Sequence, residues 1–191
     1  VVMIGLGYIG LPTAALIASH QVSVHGVDIN PEVVNTINKG EIHIVEPELD
    51  SAVASAVKEG YLKASTTAVT ADTYLIVVPT PFKGKNEPDI SFVEAATKGV
   101  LPLLKKGDLY LIESTSPIGT TENLLQYIYS ERPELQGQLH IAYCPERVLP
   151  GNVMHELVHN DRVIGGVDEK STQKALTFYK KYIQGDLHPT N

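Results

Sequence analysis

The chain has one cysteine, two methionines, three phenylalanines and no tryptophan in 191 residues. A lone cysteine, Cys144, builds no disulfide framework and fits a reducing compartment, so a cytoplasmic setting is expected. No apolar run approaches the roughly 20 residues that span a bilayer, and no membrane association is expected. The start shows neither a basic n-region nor a cleavage site, so no export signal is read there. It also lacks an initiator Met, and residues ahead of Val1 are expected to be missing. Positive charge is scarce: 15 Lys and Arg stand against 22 Asp and Glu, a formal net charge of −7. Nucleic acid wants clustered cations, so it is disfavoured and not expected as a partner. An acidic chain still holds phosphates if it uses local dipoles in place of a global positive field.

What is present is an ordinary globular composition, 43% apolar, at a length suited to one domain or one domain with an incomplete second. Strand and helix signals alternate. "VVMI" is a short β-branched apolar run, and "GLGYIGLPTAALIASH" reads as a glycine turn entering a helix. Pro12 is tolerated near that helix start, where the first N–H groups lack intrahelical partners. "VSVHGVD" is a second strand. Asn30 then caps a helix with Pro31 in its first turn and Gly40 at its close. "EPELDSAVASAVKEG" is a helix with Leu49, Ala52, Val53, Ala56 and Val57 on one face. "TYLIVV", "LYLIE", "LHIAY" and "RVIGG" are further strands, "TPFKGKNEPD" is a loop of turn formers, and a last helix is expected from about Glu169 to Ile183. This order implies an α/β fold: a doubly wound, mainly parallel sheet with helices on both faces and ligands at the carboxyl ends of its strands.

Gly5, Gly7 and Gly10 form G-x-G-x-x-G between the first strand and the first helix. Alone the motif is weak; here it has a strand before it, a helix after it, and an acid at the end of the next strand. Gly5 makes the tight turn, Gly7 lets a pyrophosphate approach the backbone, and Gly10 allows close helix–strand packing. The helix N-terminus supplies free N–H groups and a positive dipole end. Asp28 follows 18 residues after Gly10. A carboxylate there accepts from the adenosine ribose hydroxyls and repels a 2′-phosphate, which selects NAD over NADP, with Asn30 as a second polar contact. The plain alternative is a glycine turn that serves packing alone, with Asp28 an ordinary turn residue.

"HELVH", His155 to His159, matches a zinc-protease pattern, but no third ligand follows at a suitable distance, and no metal is expected. His20, His25, His43 and His140 show no ligand spacing.

Taken together, "VVMIGLGYIGLP", "GVDIN", "VPTPF", "ESTSPIGTTE", "YCPERVLPG" and "NDRVIGG" resemble the UDP-glucose/GDP-mannose dehydrogenase family over essentially the whole chain. "EIHIVEPEL", "PTPFKGKNEPD" and "IAYCPERVLPG" are closest to its branch acting on UDP-N-acetylmannosamine. The resemblance implies that residues 1–191 form a Rossmann-like NAD-binding domain. It implies metal-free oxidation of a UDP-sugar C6 alcohol to a carboxylate by two NAD, through an aldehyde and a cysteine thioester, for surface-polysaccharide synthesis.

Position by position, the resemblance places Tyr8, Ile9 and Asp28 on the cofactor and Thr80 near its nicotinamide half. Thr115 lies beside the reacting carbon, where its hydroxyl could orient a water, and Thr121 faces the cofactor. Glu146 assists water or proton transfer, and Arg147 and Val148 meet the sugar nucleotide. Each has a bland alternative: Thr115 and Thr121 are good turn and cap residues, Thr80 sits in a stiff loop between two prolines, Tyr8 and Ile9 could serve packing, and Glu146 could be a surface acid paired with Arg147. The family's nucleophile lies in a later Gly-Gly-x-Cys segment, beyond a central helix that carries a lysine and makes the dimer. Neither segment is found in this sequence, and Cys144 is expected to be a small buried apolar residue. The chain is therefore expected to bind NAD without turnover. A sibling dehydrogenase for UDP-glucose or GDP-mannose, and a non-catalytic dinucleotide sensor, stay open.

Overall fold

The computed structural model describes residues 1–190. Its strands are β1 (Val2–Ile4), β2 (Val24–Val27), β3 (Leu62–Ser65), β4 (Thr73–Ile76), β5 (Phe82–Lys83), β6 (Glu87–Pro88), β7 (Leu109–Ile112), β8 (His140–Tyr143), β9 (Arg162–Gly166) and β10 (Leu187–Thr190). The α-helices are α1 (Gly10–Ser19), α2 (Pro31–Asn38), α3 (Leu49–Lys58), α4 (Ser91–Val100), α5 (Thr120–Glu131), α6 (Val153–His159) and α7 (Glu169–Tyr179).

Eight strands form one sheet in the order β10-β9-β8-β7-β4-β1-β2-β3. Every pairing is parallel except β8 with β9, so β9 and β10 run against the other six. The central strands are buried throughout, as helices on both faces require. Their side chains alternate between two cores. Met3, Leu75 and Leu111 pack in one with residues of α1, α3, α6 and α7. Val2, Ile4, Tyr74, Ile76, Tyr110 and Ile112 pack in the other with residues of α4 and α5. The phenols in the second core are satisfied: the Tyr110 and Thr97 hydroxyls bond at 2.7 Å, and Tyr74 donates to Leu103 O at 3.3 Å.

The local signals act as the sequence suggests. Asn30 accepts the Glu32 amide at 2.9 Å to cap α2, with Pro31 in the first position. The buried face of α3 is Leu49, Val53 and Ala56, with Ala52 and Val57 at its margin. Four features depart from or add to the elements expected from sequence. The turn-former loop holds the two-residue strands β5 and β6, joined through left-handed Gly84 and Asn86. Edge strand β3 hides in "YLKAS", which has no β-branched residue. The HELVH segment is helix α6. α7 stops at Tyr179, where the Tyr182 amide turns back to Tyr179 O at 2.9 Å and Tyr182 packs edge-on against Phe178 and His20.

Candidate functional site

The chain runs from β1 outward through β2 to β3, then returns to place β4 on the other side of β1. That reversal opens a crevice at the carboxyl ends of β1 and β4, the usual ligand position in such sheets. The glycine turn fills its floor. Gly5 has φ +96°, and a Cβ there would lie 2.3 Å from Val77 O. A Cβ on Gly10 would lie 1.9 Å from Gly5 O. Both positions are closed to any side chain by backbone. Gly7 is the opposite: a Cβ would meet nothing within 4 Å, because it would project into the open cradle. Among the described residues, the amides of Tyr8, Ile9 and Gly10 donate to no acceptor. A cradle one methyl would occupy, rimmed by free N–H groups at a helix start, fits a diphosphate.

Asp28 leaves β2 at the same edge. Its Oδ2 accepts the Leu6 amide at 3.1 Å and its Oδ1 accepts the Asn30 amide at 2.9 Å. The carboxylate is thus fixed against the glycine turn, and each oxygen keeps a lone pair for a further donor. The side-chain oxygen of Asn30 is engaged by the α2 cap, which leaves its amide nitrogen for any outside contact.

Across the crevice, Thr80 is half-buried in the loop after β4. The loop after β7 is held by its serines. Ser114 Oγ accepts the Val78 amide at 2.9 Å and lies 2.8 Å from Val78 O, while Ser116 Oγ donates to Ser114 O at 2.9 Å. The Ser116 amide donates to the Tyr143 hydroxyl at 3.1 Å. Thr115, between them, is exposed and turned outward, with no hydrogen bond among the described residues. Thr121 is half-buried in the first turn of α5, whose N-cap is left-handed Gly119 and not a threonine side chain.

Glu146 follows β8 and is neither a surface acid nor ion-paired with the Arg147 guanidinium. Its side chain is 5% exposed and its Oε2 pairs with Arg162 Nη1, itself 3% exposed. The Arg147 backbone amide donates to Glu146 Oε1 at 2.7 Å, while the Arg147 guanidinium donates to Asp161 O at 3.1 Å. Beside this pair lies Glu113, 2% exposed, which accepts from the Tyr179 hydroxyl at 2.7 Å. The Arg162 guanidinium pairs with Glu146 and reaches Glu113 only through its charge. Burial, with the Glu146 charge beside it, raises the Glu113 pKa to about 7 despite Arg162 and Tyr179. The thiol of Cys144 is buried in the same cluster; desolvation first, then Glu113, pushes it up to about 12, which leaves it inert. Sequence reasoning missed Glu113, Arg162 and Tyr179. An ionisable residue directly flanking a buried strand, as in "LYLIE" and "RVIGG", was the available signal, since such a group needs a partner.

On α6 the His155 and His159 rings stack at 4.0 Å, and Glu156 Oε2 accepts the Leu149 amide at 2.9 Å. The glutamate that a zinc protease would use as base is thereby committed to the backbone. Asp161, Asp186 and His188 offer ligand atoms within 4.8 Å of one another, but all three are exposed. Among the described residues, no helix is long and apolar enough to cross a membrane.

Comparison with known proteins agrees with this geometry. Residues 1–183 match the family model described as the UDP-glucose/GDP-mannose dehydrogenase family, NAD binding domain. The chain is 55% identical to the UDP-N-acetyl-D-mannosamine dehydrogenase of Escherichia coli (strain K12), across 99% of this chain and 47% of that protein. It superposes with a TM-score of 0.95 on the UDP-N-acetyl-mannosamine dehydrogenase Cap5O from S. aureus, at 38% identity, covering 100% of this chain and 47% of that one. The UDP-D-ManNAc dehydrogenase from Pyrococcus horikoshii gives a TM-score of 0.91 at 38% identity, covering 100% and 46%. The chain thus spans about half the length of the relatives it matches. A glycine cradle, an acid fixed beside it and a family match over residues 1–183 lead to one assignment: the chain belongs to the UDP-glucose/GDP-mannose dehydrogenase family, as its NAD-binding domain.

Proposed function

We propose that this chain is the cofactor half of a cytoplasmic nucleotide-sugar 6-dehydrogenase that oxidises the C6 alcohol of UDP-N-acetylmannosamine to the uronate. Bound NAD supplies the hydride acceptor for each of two oxidations. The chain's own residues bind and orient. The free amides of Tyr8, Ile9 and Gly10 grip the diphosphate over Gly7, and Asp28 accepts from the adenosine ribose hydroxyls. Thr80, Thr115 and Thr121 face the nicotinamide side of the crevice. Thr115, with its hydroxyl unengaged, is the residue on this chain best able to orient a water beside the reacting carbon. Arg147 and Val148 meet the sugar nucleotide. Glu146 has both carboxylate oxygens engaged, a geometry that favours holding the sugar-binding loop over passing a proton. The buried Cys144 thiol supplies no nucleophile for a thioester step, and these 191 residues alone are expected to bind NAD without oxidising the sugar.

The observation that carries this reading is the Gly7 cradle with Asp28 locked against it. Calorimetric titration of the chain with NAD and NADP tests it. NAD is expected to bind at least about tenfold more tightly, and Asp28→Ala is expected to weaken NAD by roughly 1.5–3 kcal/mol through loss of charge-assisted bonds. Equal affinity for the two cofactors, or an Asp28→Ala variant that binds NAD like the parent, overturns the ribose contact. Assay of the full-length enzyme against UDP-N-acetylmannosamine, UDP-glucose and GDP-mannose decides the sugar, with two NADH expected per UDP-N-acetylmannosamine.

A further inference from the structure

The segment after β8 shows a regular pattern of donors. The Arg147 amide donates to Glu146 Oε1 at 2.7 Å and the Leu149 amide to Glu156 Oε2 at 2.9 Å. The Gly151 amide donates to Glu46 Oε1 at 2.9 Å, and the Val153 amide reaches Glu46 Oε2 at 3.4 Å. Every second amide of the loop thus meets a carboxylate, and the three carboxylates come from a distant loop, from the segment itself and from the helix that follows it.

The pattern has physical weight. Glu46 is 5% exposed, and among the described residues neither Glu46 nor Glu156 has a Lys or Arg partner. Loop amides are therefore the main groups available to compensate Glu46 for lost water, and a buried carboxylate without them is unfavourable by several kcal/mol per ion. Hydrogen bonds to an ionised acceptor are roughly twice as strong as neutral ones. The Glu46–Gly151 bond joins residues 105 apart in sequence. It ties "EIHIVEPEL" to "YCPERVLPG". It also covers the start of α6, whose N-cap Asn152 makes no side-chain cap bond. Glu146, the third carboxylate, is itself anchored from behind by Arg162.

We propose that Glu46, Glu146 and Glu156 form a carboxylate clamp that holds residues 146–153 in one shape, and that Glu46 and Glu156 are positioning residues for the nucleotide sugar. They act through the loop that carries Arg147 and Val148, so the second half of this statement rests on the function proposed above. Pre-organising a binding loop raises affinity by removing the entropy of ordering it at each encounter. The clamp sets affinity for the sugar nucleotide and leaves affinity for NAD alone, because the glycine cradle lies between β1 and α1 and receives none of these bonds.

The full-length enzyme carries the test, read by hydrogen exchange and by steady-state kinetics. In Glu46→Ala, amides 147–153 are expected to exchange at least about tenfold faster, with peptides from β1 to β4 unchanged. The KM for UDP-N-acetylmannosamine is expected to rise about tenfold while the KM for NAD stays within about twofold. Glu156→Ala gives the same pattern around Leu149. Glu156→Gln restores it, since its Oε1 still accepts that amide. If Glu46→Ala fails to fold, the Glu156 pair decides the matter from the helix surface. Unchanged exchange in the folded alanine variants overturns the clamp. Faster exchange with an unchanged sugar KM overturns the positioning role. A parent enzyme that oxidises no nucleotide sugar defeats the proposed function, and exchange alone still decides the clamp.

Discussion

The two halves of the sheet present the same edge to the ligand with opposite chemistry. On the β1–β2 side, recognition is made of backbone: amides without acceptors, three glycines and one carboxylate fixed by two N–H groups. On the β7–β9 side the corresponding loop rests on buried charge: Glu113, Glu146 and Arg162 lie beside it, and Glu46 and Glu156 accept its amides. The first design is local in sequence and rests mainly on backbone. The second draws on residues from Glu46 to Tyr179 and contains a group that titrates near neutrality. A diphosphate is common to all dinucleotides, and a fixed backbone suffices for it. Under the proposed function a sugar has also to be told from other sugars, which calls for side chains.

The sharpest way to break the backbone half is Gly10→Ala. Its Cβ has no room beside Gly5 O, and a loss of 3 kcal/mol or more, on the order of the severe core substitutions, is expected in chemical denaturation. Gly7→Ala separates binding from folding: stability is expected to shift by less than about 1 kcal/mol, while NAD affinity in a calorimetric titration falls at least about tenfold. Equal stability losses in the two variants would erase the distinction between packing and ligand glycines.

The charged half breaks with pH. The folded pKa of Glu113 is raised from 4.5 to about 7, so the native state holds a proton that the unfolded chain has released. Its contribution is present in full below the unfolded value and is lost as pH rises through the folded one. Stability is expected to fall by on the order of 3 kcal/mol between pH 4.5 and 7.5 from this group alone. Arg162, Glu146, Tyr179 and Cys144 face it and set the size of the effect. Glu113→Gln keeps an acceptor for Tyr179 and removes the titration. Urea midpoints measured across that window should flatten in the variant relative to the parent, and a parallel pair of curves would show that Glu113 is ionised throughout.

The smallest expected effect lies on the segment that links the halves. Glu48 adopts φ +67° at the start of α3, two residues from Glu46. Glu48→Gly should relieve a left-handed residue and raise stability by up to about 1 kcal/mol, offset in part by the freedom glycine adds to the unfolded chain. A lower denaturation midpoint would mean that the Glu48 side chain contributes more than its backbone strain removes.

The same contrast explains what could be read from sequence. β1, the glycine turn, α1 and Asp28 are specified by neighbours a few residues away, and spacing alone placed them. The central strands were legible because burial on both faces demands unbroken apolar runs. Edge strand β3 buries only Leu62 and Ala64, and β10 and the β5–β6 hairpin are largely exposed, so no unbroken apolar run marked them. Asn30 was read as a cap, and it is one. Glu146 was singled out at the correct strand end, but its partner proved to be Arg162, 16 residues on and across an antiparallel pairing that no local signal announces. Glu46 went unremarked because its value depends on a loop more than a hundred residues away.

The single thiol at the foot of β8 makes the molecule its own reporter. With no accessible surface and ionisation pushed far above neutral pH, Cys144 should ignore alkylating reagents for as long as the structure stays shut. Each opening that reaches it then leaves one permanent mass tag per chain. The rate of tagging, followed by intact mass spectrometry with and without coenzyme, gives a direct clock of how often the β7–β9 side of the sheet breathes.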